Sequence, residues 1–139
     1  MAKLTRIAPE LPVPDLLASI TYYEQQLGFQ LAMHLPDQGY AIVERDGVAI
    51  HLFQDDLHNH TPVGIHIFTP DIESLFAELE HRGAHLSQPI APKPWGNRDF
   101  RIIDAAGNKI KFTEPVSEHD SAAGSGRPLR AVMRSYSQP

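Results

Sequence analysis

Val13-Pro14-Asp15-Leu16 is echoed 56 residues later by Thr69-Pro70-Asp71-Ile72, and the fold is read outward from that echo. Each aspartate stands where a helix N-cap belongs, with proline before it and an apolar run after it. In the first copy Leu16, Leu17, Ile20, Tyr23 and Leu27 recur at helical spacing, and Gly28 stops the run. In the second, Ile72, Leu75, Phe76 and Leu79 recur, and Gly83 stops it. A short alternating strand precedes each helix, at 8–13 and 64–69. Strand-like runs and a tight turn follow each helix. The first turn is Asp46-Gly47, between 40–45 and 48–53, a two-residue hairpin signal. The second is Asp104-Ala105-Ala106-Gly107, between 99–103 and 109–113. The order is βαβββ, twice. It predicts an α+β domain at 1–115 built from two such modules, at about 4–55 and 62–114.

Composition bounds what the domain does. The chain has 139 residues, 42% of them hydrophobic, enough for one domain with a real core. It has no cysteine, which excludes disulfides, thiolate metal sites and a cysteine nucleophile. The formal charge is −5 and argues against nucleic acid, whose partners carry a basic face. No apolar run approaches a membrane span. The first residues lack a signal-peptide stretch, so a cytoplasmic protein is expected, and the sequon Asn59-His60-Thr61 carries little meaning there. Residues 116–139 are rich in Ser, Ala, Gly and Pro, and Arg127, Arg130 and Arg134 outnumber Glu118 and Asp120. They read as a flexible tail, or as an arm packing on a partner subunit.

Strand alternation sorts the side chains. Leu11, Val13, Ile50, Leu52, Ile65, Ile67, Phe100, Ile102, Ile110 and Phe112 fall on one set of faces, which should pack on the helices. Glu10, His51, Phe53, His66, Phe68, Asp99, Arg101, Lys109 and Lys111 fall on the other. Tyr40, Ile42 and Glu44 join them if the hairpin pairs Arg45 with Val48. Aromatic rings among imidazoles suit a half-enclosed ligand surface better than open water.

These segments resemble the vicinal oxygen chelate superfamily, the glyoxalase/bleomycin-resistance/dioxygenase fold. The resemblance rests on Val13-Pro14-Asp15-Leu16 through Tyr22-Tyr23 to Leu27-Gly28-Phe29, and on Thr69-Pro70-Asp71-Ile72 to Arg82-Gly83. It rests also on Pro94-Trp95-Gly96-Asn97-Arg98-Asp99-Phe100 through Asp104-Ala105-Ala106-Gly107-Asn108. Together they cover most of 4–114, and the third segment is nearest the bleomycin-resistance branch. The resemblance implies paired modules forming a cup, and a homodimer. Its enzymes hold a divalent metal at equivalent first-strand and fourth-strand places of each module. Carried over, those places are Ala8, His51, Gly64 and Lys111. Alanine and glycine offer no ligand, and a lysine repels the ion. One imidazole does not hold a catalytic metal that needs about three protein ligands. The bleomycin-resistance branch shares that pattern. The implied function is therefore metal-independent binding of a small molecule, an aromatic or glycopeptide-like drug, with no cofactor.

The expected ligand contacts are Trp95, Phe53, Phe68 and Tyr40 for apolar or stacking contact. Glu10, His51 and His66 are expected to hydrogen bond, and Arg101 and Lys111 to select charge. Asp99 is expected to join those two cations in a cluster. The rival is a metalloenzyme, a dioxygenase or glyoxalase-like lyase, with Glu10, His51 and His66 as a two-histidine, one-carboxylate set. His58 and His60 lie in a polar inter-module linker. His81 suits a helix's last turn. No Gly-x-Ser-x-Gly setting surrounds Ser19, Ser74 or Ser87.

Overall fold

The computed structural model describes residues 2–55 and 61–115. The repeat is present element by element. The first module runs β1 (Glu10–Val13), α1 (Leu16–Gln25), β2 (Gln30–Leu35), β3 (Tyr40–Arg45) and β4 (Val48–Gln54). The second runs β5 (Gly64–Phe68), α2 (Ile72–His81), β6 (Leu86–Pro92), β7 (Arg98–Ile103) and β8 (Lys109–Thr113). Each module forms its own four-stranded mixed sheet, ordered β1-β4-β3-β2 and β5-β8-β7-β6. Residues 116–139, His58 and His60 lie outside the described residues.

Both helices start as the sequence asks. Asp15 accepts a hydrogen bond from the Ala18 amide at 3.1 Å, and Asp71 accepts one from Ser74 at 3.2 Å. Each satisfies an amide that the first helical turn leaves without a partner. The Phe29 amide returns to the Tyr23 carbonyl at 2.9 Å across Gly28, whose φ of +74° favours glycine. A side chain at Gly28 would also meet Arg45 Nη1 at 2.8 Å. His81 closes α2 from its last turn.

The expected hairpin register holds, with Arg45 opposite Val48. Asp46 and Gly47 both take positive φ, +52° and +81°, the two-residue turn whose twist matches the strands. Pro89 and Pro92 sit in β6, an edge strand interrupted by two register shifts, where a missing amide is tolerated. The first strand is shorter than expected. It begins at Glu10, so Ala8 precedes it. Pro9 has no amide to donate, and its carbonyl takes the last bond of this edge from His51 N at 3.0 Å.

One core fills the molecule. Leu11, Val13, Ile50, Leu52, Ile102 and Ile110 are buried, together with Tyr23, Leu27 and Leu79 from the helical side. Phe100 stacks on Phe112 with centroids 5.2 Å apart, and Phe76 meets Phe100 edge-on at 5.2 Å. The two modules lock together through polar groups around this core. Tyr22 Oη donates to the Ile103 carbonyl at 3.0 Å and accepts from the His85 amide at 2.9 Å. Asn108 Nδ2 donates to the Pro12 carbonyl at 3.1 Å, while its Oδ1 accepts from Val63 N at 3.0 Å.

A second lock joins Arg45 of the first hairpin to Glu78 of α2. Arg45 Nη2 and Nη1 reach Glu78 Oε1 and Oε2 at 2.7 and 3.0 Å, and Nη1 also caps the Leu27 carbonyl at 2.8 Å. Arg82 adds a bond to Glu78 at 2.7 Å and one to the Gln25 carbonyl at 3.2 Å. Two cations thus complement the negative end of α1. The hydrogen bond from Arg45, ahead of that from Arg82, holds the Glu78 carboxyl below its usual value. That stabilisation is present above the unfolded carboxyl's pKa and is lost as pH falls through the folded value. Glu78→Gln is expected to cost about 1 kcal/mol near neutrality, and the difference should vanish in acid. Urea unfolding of both proteins across pH checks this.

Candidate functional site

Alternation along β1, β3 and β4 brings Glu10, Tyr40, His51 and Phe53 to one face of the first sheet. Glu10 pairs with His51 and His51 with Ile42; Pro12 pairs with Phe53 and Phe53 with Tyr40. Tyr40 Oη donates to Glu10 Oε2 at 2.6 Å and stands 2.6 Å from His51 Nδ1. The phenol has one proton. With that proton on Glu10, the hydrogen bond to His51 requires Nδ1–H as donor, leaving the lone pair of the neutral ring on Nε2. The carboxylate bond pushes the Tyr40 hydroxyl up to about 12, so it stays a donor at any physiological pH. The face therefore presents an ordered acid–phenol–imidazole chain with Phe53, half-buried, beside it.

The second sheet shows three rows across β5, β8 and β7. They are Gly64, Lys109 and Ile103; His66, Lys111 and Arg101; and Phe68, Thr113 and Asp99. His66 Nδ1 lies 3.3 Å from Thr113 Oγ1, and its ring leans over Phe68 with centroids 6.1 Å apart. Phe68 is 55% exposed. His66 as a residue is open to solvent, but partial desolvation of its ring, then Lys111, lowers its pKa. Desolvation and Arg101 lower that of Lys111. A concavity of about 430 Å³ lies over β5 and β8, lined by Gly64, His66, Lys109 and Lys111 among others. Trp95 sits half-buried in the turn between β6 and β7, which closes through Lys93 N to the Asn97 carbonyl at 2.8 Å.

Two expectations need correction. Asp99 makes no ion pair with Arg101 or Lys111, although its charge acts on Lys111 and on His66. It is buried and bonds Lys93 Nζ at 3.3 Å and Gln88 Nε2 at 3.4 Å, because the β6–β7 turn folds Lys93 back over it. Nor do Glu10, His51 and His66 form one ligand set within a chain. Tyr40 occupies the space between the first two, and His66 belongs to the other sheet. Among the described residues no three His, Asp or Glu side chains gather in metal-binding geometry. Phe68 keeps His66 as a neighbour and also faces the other module. It borders a separate cavity of about 400 Å³ between the modules, with Phe29, Val48 and Leu75.

The four places that the resemblance marks for metal ligands carry few donor side chains. Of Ala8, His51, Gly64 and Lys111, only His51 carries an imidazole, the kind of side chain that commonly ligates a metal. Lys93, Gln88 and Thr113 were not singled out in advance as partners. Alternation along β8 already placed Thr113 beside Lys111, but pairing of Lys93 with Asp99 depends on a turn conformation.

Comparison with known proteins matches this architecture. The model of the Glyoxalase/Bleomycin resistance protein/Dioxygenase superfamily matches residues 3–112. The bleomycin resistance protein of Geobacillus stearothermophilus is 28% identical over 127 residues, covering 78% of this chain and 95% of that protein. The bleomycin resistance determinant encoded on transposon Tn5 superposes with a TM-score of 0.73 at 16% identity, covering 82% of this chain and 100% of that one. The bleomycin-binding protein of bleomycin-producing Streptomyces verticillus, solved with copper(II)-bleomycin, gives 0.66 at 24% identity, covering 84% and 100%. With its duplicated βαβββ units and a family match over most of its length, the chain belongs to the glyoxalase/bleomycin resistance/dioxygenase superfamily.

Proposed function

We propose that this protein is a homodimer that binds a small glycopeptide-like or aromatic drug without using a metal, as in resistance by sequestration. The observation that carries the reading is the residue set Ala8, Gly64 and Lys111 at the places where the family resemblance implies metal donors. What remains on the two open faces is a recognition chemistry. Phe53, Phe68, Tyr40 and Trp95 offer aromatic surface, while Glu10, His51 and His66 offer hydrogen bonds. The similarity to bleomycin resistance proteins supports a drug of that class.

The dimer is supported by what one chain leaves uncovered. Leu4 is 100% exposed and Ile7 95% exposed, in the segment before β1. Exposed large apolar side chains next to unpaired strand edges are candidates for burial against a second copy. Residues 1–115 are proposed as the binding unit and 116–139 as dispensable for it.

Calorimetric titration of metal-free protein with metal-free bleomycin tests the reading, alongside elemental analysis of protein purified without chelator or metal-affinity tag. Saturable binding at micromolar concentration or below, with under about 0.1 ion per chain even after supply of Fe²⁺, Zn²⁺, Ni²⁺ or Mn²⁺, is expected. Near one ion per chain, lost in His51→Ala, would replace it with the metalloenzyme.

A further inference from the structure

His66, Lys111 and Arg101 are successive partners across β5, β8 and β7, so an imidazole, an ammonium and a guanidinium stand side by side on one face. Like charges directly opposite in a ladder destabilise it. A sheet ordinarily answers such a row with carboxylates. The carboxylate on this face of β7, Asp99, is 3% exposed and already held by Lys93 and Gln88. The Arg101 and Lys111 side chains make no hydrogen bond or ion pair among the described residues, and Arg101 Nε is buried without a partner. Burying a guanidinium donor without a partner is unfavourable in the free protein. Among the described residues Arg101 and Lys111 therefore stand in this row without a hydrogen-bonded counter-charge, Asp99 acting on Lys111 only through its field, and such local departures are how binding sites commonly differ from scaffold.

Space is provided beside it. The concavity of about 430 Å³ is lined by His66, Lys109 and Lys111. A side chain added at Gly64 would come no nearer to a neighbour than 3.9 Å, at the Lys109 carbonyl, so the floor there is open. The equivalent row of the first module is Glu10, His51 and Ile42 and carries an acid instead.

We propose that the His66–Lys111–Arg101 row is a subsite for an oxyanion, a carboxylate, sulfate or phosphate group carried by the small-molecule ligand. A guanidinium fork beside an ammonium matches a planar or tetrahedral oxyanion, and charge-assisted bonds are about twice as strong as neutral ones. The lowered pKa of Lys111 fits a site whose counter-charge arrives with its ligand. The inference rests on the open faces being ligand surface, and not on which drug they take.

The test uses the full chain at constant ionic strength, titrated with phenyl phosphate and, as the opposite charge, benzyltrimethylammonium. Saturable phenyl phosphate binding at millimolar concentration is expected, at least about tenfold weaker in Lys111→Met. Benzyltrimethylammonium binding should not respond to that substitution. The ligand-free Lys111→Met protein should melt at or above the wild-type temperature, because it loses a repulsive charge. Equal phenyl phosphate binding by both proteins overturns the proposal. So does a lower melting temperature or misfolding of ligand-free Lys111→Met, since the ammonium would then be satisfied by structure. Bleomycin titration is read separately. Drug binding without any phenyl phosphate effect removes only the oxyanion subsite. Phenyl phosphate binding without drug binding removes only the drug.

Discussion

Asp104→Ala is expected to lower the unfolding free energy by about 3–5 kcal/mol, a large share of what a domain of this size has. Asp104 is 4% exposed and accepts four hydrogen bonds. Its Oδ1 takes Ala106 N at 2.9 Å and Asn108 N at 2.8 Å. Its Oδ2 takes the Tyr23 hydroxyl at 2.7 Å and Asn108 Nδ2 at 3.2 Å. Two of these bonds shape the β7–β8 turn, and the Tyr23 bond ties that turn to α1 of the other module. Truncation leaves buried donors unmet, each costing about 1–3 kcal/mol, and frees the turn that presents Lys109 and Lys111. Burial, with Asp104 second, raises the Tyr23 pKa well above the ordinary tyrosine value, so the phenol remains the donor. Tyr23→Phe should cost less, about 1–2 kcal/mol, because Oδ2 keeps Asn108. Urea unfolding of both variants and the double mutant measures the coupling. Additive losses would mean that Asp104 and Tyr23 stabilise the fold separately.

The second large effect is on binding. If the open faces take an aromatic or glycopeptide-like drug, Trp95→Ala should weaken its binding about 30-fold or more. Trp95 is the sole tryptophan and projects from a turn of prolines and glycine, a stiff mount for a stacking ring. Trp95 as a residue is half-buried. The turn closes through backbone bonds of Lys93, Gly96 and Asn97, which the substitution leaves in place. The melting temperature should therefore change little while the calorimetric affinity falls. A stability loss with unchanged affinity would make Trp95 a cover over the core edge.

Much of the fold was legible because its signals are local. A cap aspartate, a stop glycine and a two-residue turn each act within a few residues. Asp15, Asp71, Gly28 and Asp46-Gly47 do what their types predict. Strand alternation likewise sorted core from open face, since a pleat reverses the side chain at every residue. Ala8 was the exception at an edge: Pro9 ends the ladder, and how far an edge strand runs depends on amides that its partner needs.

The candidate site was legible by residue type and face, and less so by partnership. Alternation placed Glu10, His51, His66, Arg101 and Lys111 on open faces, but it did not say which groups neutralise which. Tyr40 stands between Glu10 and His51 because β3 pairs with β4 in one register. Asp99 pairs directly with Lys93 because a turn folds back, leaving Arg101 and Lys111 without an ion pair to it. The sequence by itself determined the duplicated architecture and the two sets of faces. Those follow from short-range backbone preferences and from what a side chain is made of. Only the tertiary structure decided the hydrogen-bond partners, the lock of Asp104 on Tyr23 and the pairing of Asp99 away from Arg101 and Lys111. Those depend on distances of about 3 Å between residues far apart in sequence, and such distances are set by packing, not by pattern.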